Sequence, residues 1–136
     1  MKKEKLEEGL KEVLDEIETA LHDTRGLLAH QRRLAFSLSL GSTILLELYF
    51  KNLYIMKEGA KVNHMWFKRK KENVIEALQN QVTAPLNTIK ETDSIIELMI
   101  KIEEKRDELA YGAPSTEKIL QDKINLFFEL KRVVQC

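Results

Sequence analysis

Arg106 is the residue whose position most demands chemistry. It continues a stripe otherwise made of Ile96, Met99, Ile102 and Leu109 at helical spacing, and a guanidinium on an apolar face must find an anionic partner, because its charge cannot be shed. Two partners are open. One is a buried carboxylate, for which Glu47 in an apolar stretch upstream is the best placed; the other is a phosphate held in a cleft by the fork of donors. A second polar feature is His64, followed by Trp66 and Phe67 and then by Lys68-Arg69-Lys70-Lys71. Stacking aromatics beside cations suit a nucleic-acid strand. Equally, four consecutive basic residues point all round a helix, and a histidine beside a tryptophan suits capping or packing. His22 and His30 have no partner at a useful spacing.

Most enzyme signatures are missing from the sequence. It has no glycine-rich phosphate loop, no His-Glu-x-x-His helix, no Gly-x-Ser-x-Gly elbow and no Asp-x-Asp calcium loop. A di-metal bundle needs Glu-x-x-His pairs, and none occurs. The lone cysteine, Cys136, cannot form an internal disulfide or a thiolate zinc site. No metal or cofactor is expected on these grounds. Twenty-two Lys and Arg balance 22 Asp and Glu, so no global field draws the molecule onto a polyanion, and any such contact must be local.

The elements that must position these residues are helices. The 136 residues hold only five glycines and two prolines, too few for the turns of an all-β chain. Leu6, Leu10, Val13, Leu14, Ile17 and Leu21 mark one face of a helix from about residue 4 to 24, which breaks at Gly26. A second helix is expected from Leu27 to about Met56. Between Leu34 and Leu46 it carries no charge, which is too short for a membrane span of about 20 apolar residues, so it is expected as a central helix covered on all sides. Gly41 and Ser42, with Ser37 and Ser39, suggest close approach by another backbone, and a homodimer is expected there. Gly59 suits a left-handed end to this helix. A third helix ends near Val82. Pro85 is placed to open a fourth that runs to Gly112, and Ser115 to cap a fifth. The reading is an all-α, up-and-down bundle of about five helices in a single domain, 1–136. The charged N-terminal stretch lacks the apolar segment of a secretory signal, so a cytoplasmic location is expected.

The segment Arg106-Asp107-Glu108-Leu109-Ala110-Tyr111-Gly112 resembles the signature of the HEPN superfamily, the nucleotide-binding domain of higher eukaryotes and prokaryotes, whose pattern runs from an arginine through a polar residue to a histidine. The preceding stretch is similar too: a long apolar helix over 44–56, the turn Lys57-Glu58-Gly59-Ala60, and His64 opening the next element. The resemblance implies a bundle that dimerises so that two copies of the motif face one cleft. In active members that cleft is a metal-independent ribonuclease site, and many prokaryotic members are toxins paired with a nucleotidyltransferase antitoxin.

Carried onto this chain, Arg106 matches the family arginine and Asp107 its polar neighbour, while the histidine position holds Tyr111. A phenol with an ordinary pKa of about 10 donates to phosphate but is a poor base at neutral pH. The resemblance therefore implies a dimer that binds a nucleotide or RNA through Arg106, Asp107 and Tyr111, with Glu47 and His64 nearby and weak or absent ribonuclease activity. Alternatives are an active ribonuclease toxin that uses Arg106 and Tyr111, and a non-catalytic protein-interaction module in which Arg106 is structural.

Overall fold

The computed structural model describes residues 2–135, and they form a helical bundle with no β-strand among them. The six α-helices are α1 (Lys3–His22), α2 (Gln31–Asn52), α3 (Lys71–Gln79), α4 (Thr92–Glu103), α5 (Arg106–Tyr111) and α6 (Glu117–Gln135). Short 3-10 helices occupy Leu27–His30, His64–Lys68 and Leu86–Thr88. The all-α bundle expected from composition and periodicity is therefore the fold, with five helices of nine or more residues and a shorter sixth.

The amphipathic helices α1, α4 and α6 surround α2. Leu6, Leu10, Val13 and Ile17 of α1 are buried, as are Ile95, Ile96, Met99 and Ile102 of α4 and Leu120, Ile124, Phe127 and Leu130 of α6. Leu34, Leu45, Leu46 and Phe50 of α2 lie at their centre. The stretch Leu27–Asn52 is long and apolar enough to cross a membrane, and 72% of its most apolar window is buried inside the bundle, so neighbouring helices of the same chain account for its hydropathy.

The small residues of α2 serve this internal packing. A Cβ at Gly41 would stand 2.7 Å from Phe127 and 2.7 Å from Val13, so α1 and α6 approach α2 where the side chain is missing. Ser42 donates to the Leu38 carbonyl, and Ser39 donates to Glu103. At Gly41 the close approach is made by this chain's own helices.

Four boundaries differ from the sequence-based expectation, each for a local reason. Helix α2 ends at Asn52, because Tyr54 turns into the left-handed region with φ 60. Gly59, with φ 74, turns the chain again, seven residues beyond the helix end. The segment between is tied by a single antiparallel bridge, Met56 to Val82, in which the Thr83 N–H donates to the Ile55 carbonyl at 2.7 Å. Pro85 does not open α4. The Gln79 side chain donates to the Ala84 carbonyl and accepts the Leu86 N–H, both at 2.9 Å, and holds that stretch as a separate turn until Glu91, with φ 66, leads into Thr92. The expected fourth helix is also broken at Glu104 and Lys105, which yields α4 and α5. Finally, the cap of α6 is Thr116, whose hydroxyl accepts the Ile119 N–H at 3.2 Å, and not Ser115.

Candidate phosphate-binding site

The break between α4 and α5 is what places Arg106. Lys105 adopts φ 62, and the carbonyls that a continuing helix would have used are taken by Lys123 of α6. Its ammonium donates to the carbonyls of Lys101 and Glu104, each at 2.5 Å. This side-chain cap lies among buried atoms, and burial pushes the Lys123 amine below its ordinary pKa. The far end of α5 is held by Gln31 of α2, which donates to the carbonyls of Leu109 and Ala113 at 3.1 Å and accepts the Ser115 N–H at 2.8 Å. Six residues of helix are thus clamped at both ends by side chains from other helices.

The Arg106 side chain is 13% exposed, and its guanidinium lies 4.9 Å from the centroid of the Phe36 ring. Cation–π contact with an aromatic on α2 sets the plane of the guanidinium. The carboxylate beside it is Glu103, the last residue of α4, with Oε1 3.8 Å from Nε across the break. That separation is an ion pair too long for a hydrogen bond, and Nε is buried without a hydrogen-bond partner among the described residues. Glu103 is itself buried and accepts the Ser39 hydroxyl at 2.8 Å and the His64 Nδ1 at 2.8 Å. One oxygen, Oε1, serves both His64 and Arg106.

On the solvent side, Arg106 Nη1 donates to Asp107 at 2.8 Å, and the other oxygen of Asp107 accepts from Lys68 Nζ at 2.6 Å. The Lys68 ammonium, and then the Arg106 guanidinium, hold the Asp107 carboxyl below its ordinary pKa. Two cations from separate elements therefore converge on one anionic group, and that group is 55% exposed. Tyr111 stands edge-on to Phe36 with ring centroids 5.8 Å apart. Its ring is 71% exposed, and its hydroxyl has no hydrogen-bond partner among the described residues.

Of the residues singled out from sequence, Arg106, Asp107, Tyr111 and His64 belong to one connected group. Glu47 does not join it. The expected pairing of Glu47 with Arg106 is replaced by Glu103, and Glu47 instead accepts the Val62 N–H at 2.6 Å beneath a different groove. The basic run is divided as well. Lys68 meets Asp107, whereas Lys71 pairs with Glu97 at 3.1 Å and Asp93 at 3.5 Å. Glu103, Ser39, Phe36 and the role of Lys68 were not legible as site features. The three-residue spacing of Glu103 and Arg106 was a weak signal, since it marks a pair only in an unbroken helix, and the chain breaks between them. Phe36 and Ser39 carried none, because only the crossing of α2 over α4 and α5 brings them there.

Comparison with known proteins adds no family: no family model matches the chain, and neither a curated protein nor a solved structure matches it.

Proposed function

We propose that this protein binds the phosphates of a nucleotide or of single-stranded RNA at the Arg106–Lys68 site, as a homodimer of HEPN-like bundles. The observation that supports this reading is the convergence of Lys68 and Arg106 on a half-exposed anionic position. Asp107 fills that position in the free protein. An incoming phosphate would take its place and recruit the bidentate capacity of a guanidinium already oriented by Phe36. Exposed Tyr111 and Phe36 beside the cations offer surfaces for a base. The resemblance of Arg106-Asp107 and the following residues to the HEPN signature supports the same ligand class and a two-fold arrangement of the site.

Titration of the protein with a fluorescently labelled RNA oligonucleotide at low and moderate salt tests the reading. Affinity falls as salt rises, and Arg106→Ala abolishes binding while the mass in solution stays that of the dimer. Unchanged binding by Arg106→Ala removes the residue from the site.

One observation favours a second reading, an active ribonuclease. Nδ1 of His64 is held by Glu103, while Nε2 makes no hydrogen bond among the described residues, so the ring is oriented by one nitrogen and leaves the other for a ligand, the geometry of a general acid–base group. On this reading RNA cleavage is lost in His64→Gln and kept in Tyr111→Phe. Cleavage that survives His64→Gln excludes it.

A further inference from the structure

A second concave site, which shares no lining residue with the Arg106 group, lies between α1, α2 and the turn over 59–62. It is a groove of about 590 Å³, walled by Leu6, Gly9, Leu40, Ile44, Ala60 and Val62, a size within the range of small-molecule sites. Thr43 and the charged residues Lys5, Glu8, Glu12, Glu47 and Lys61 also line it, three carboxylates against two ammoniums, and of these charged groups only Glu47 is buried. This residue is 6% exposed, and its Oε1 accepts the Val62 N–H. Glu47 makes no ion pair among the described residues, and its second oxygen makes no hydrogen bond there. A carboxylate has about four acceptor positions, and the free oxygen of Glu47 is not fully enclosed, so a ligand in the groove can reach it. The rim adds carboxylates from Glu8 and Glu12, and the ammonium of Lys5 is 3.9 Å from Glu8. Leu40, 54% exposed, leaves the apolar wall uncovered. At the Gly59 corner a Cβ would meet nothing within 4 Å, so the groove is open there.

We propose that this groove binds a small organic ammonium: an apolar body against Leu6, Leu40 and Ile44, with its cationic head on the free oxygen of Glu47. The charge selects the ligand class. An anion would face the buried carboxylate, and a neutral alcohol could donate a hydrogen bond to it but would leave its charge uncompensated. The Val62 N–H fixes one carboxylate oxygen and turns the other towards the ligand.

The probe is n-hexylammonium, titrated calorimetrically into the full chain beside n-hexanol and n-hexanoate at neutral pH and equal ionic strength. The ammonium binds once per chain, at least about tenfold more tightly than the alcohol, and the carboxylate does not bind. Glu47→Gln retains the acceptor for Val62 and lowers hexylammonium to the level of hexanol. Ala60→Leu fills the groove, leaves Glu47 in place and abolishes both.

Equal affinity for amine and alcohol overturns the proposal, as does full hexylammonium affinity in a folded Glu47→Gln protein or no binding at millimolar probe. Should Glu47→Gln fail to fold, amide and methyl shifts in the unaltered protein decide. Shifts centred on Val62, Leu40 and Ile44 support the site, and shifts centred elsewhere overturn it. Light scattering on the same samples covers the remaining occupant, since a dimer that dissociates as hexylammonium is added assigns the groove to a second copy.

Discussion

At the scale of single residues, Asp107 carries the most informative prediction. Its carboxylate bridges Lys68 and Arg106 at 2.6 and 2.8 Å, the position that the proposed function gives to a phosphate, and on that proposal it is a competitor held within the chain. Asp107→Asn removes the competing charge and raises RNA affinity several-fold, by about three- to tenfold, measured by the same titration at fixed salt. Weaker binding would mean that Asp107 contacts the ligand or holds Arg106 in place for it. The pH sign follows from the lowered pKa of Asp107. The bridge is fully present above the ordinary carboxyl range, and it is lost as pH falls through the depressed folded value. At neutral pH the competition is therefore intact. Glu103 has a different part, since it is buried and bonded to Ser39 and His64, and it positions the basic groups rather than competing for them.

At the scale of elements, the site depends on the interruption between α4 and α5. A helix continued through Glu104 and Lys105 would leave no carbonyls for Lys123 and would rotate Arg106 away from its present setting beside Phe36. Replacement of Lys123 by Met keeps much of the stem and removes the cap. The variant loses about 2–3 kcal/mol of stability in urea unfolding at neutral pH, the cost of leaving buried carbonyls without a donor. The unaltered protein carries a pH signature that this variant lacks. Burial lowers the folded pKa of Lys123, so between that value and the ordinary lysine value of about 10.4 the unfolded chain binds more protons. Stability contributed by this group accordingly rises with pH across that window. A neighbouring constraint is Gly112, where a Cβ would clash with the Glu108 carbonyl oxygen. The close turn out of α5 towards the Gln31 clamp thus requires the missing side chain.

At the scale of the whole molecule, the balanced charge confines any polyanion contact to a small patch. That patch also carries exposed aromatic surface, with Tyr111 71% and Phe36 37% exposed. The proposed homodimer would set two such patches side by side, with Tyr111 at the edge of the contact and both Arg106 sites open to one cleft. Light scattering is then expected to give twice the 15.8 kDa mass of the chain. Tyr111→Asp, which places charge at the edge of that contact, gives a monomer with unchanged helical circular dichroism. A monomeric parent protein, or a dimer indifferent to Tyr111→Asp, moves the interface elsewhere.

Helix content, the buried stripes of α1 and α6 and the central place of α2 were written in apolar periodicity, which is local information and survives any arrangement of neighbours. Arg106 was legible for the same reason, as a charge out of place on its stripe. Its partner was not. Glu47 and Glu103 are both carboxylates near apolar residues, and only the left-handed turn at Lys105, locked by Lys123 from another helix, gives Glu103 the role. The small residues of α2 announced a close approach without saying by what, and at Gly41 the packing of Val13 and Phe127 answered it. Pro85 likewise permitted a helix start that Gln79 prevented. The sequence by itself determined which residues must be buried and which cannot be buried alone. Which of them meet was decided by the tertiary structure, because hydrogen bonds and ion pairs depend on contacts between helices far apart in the chain.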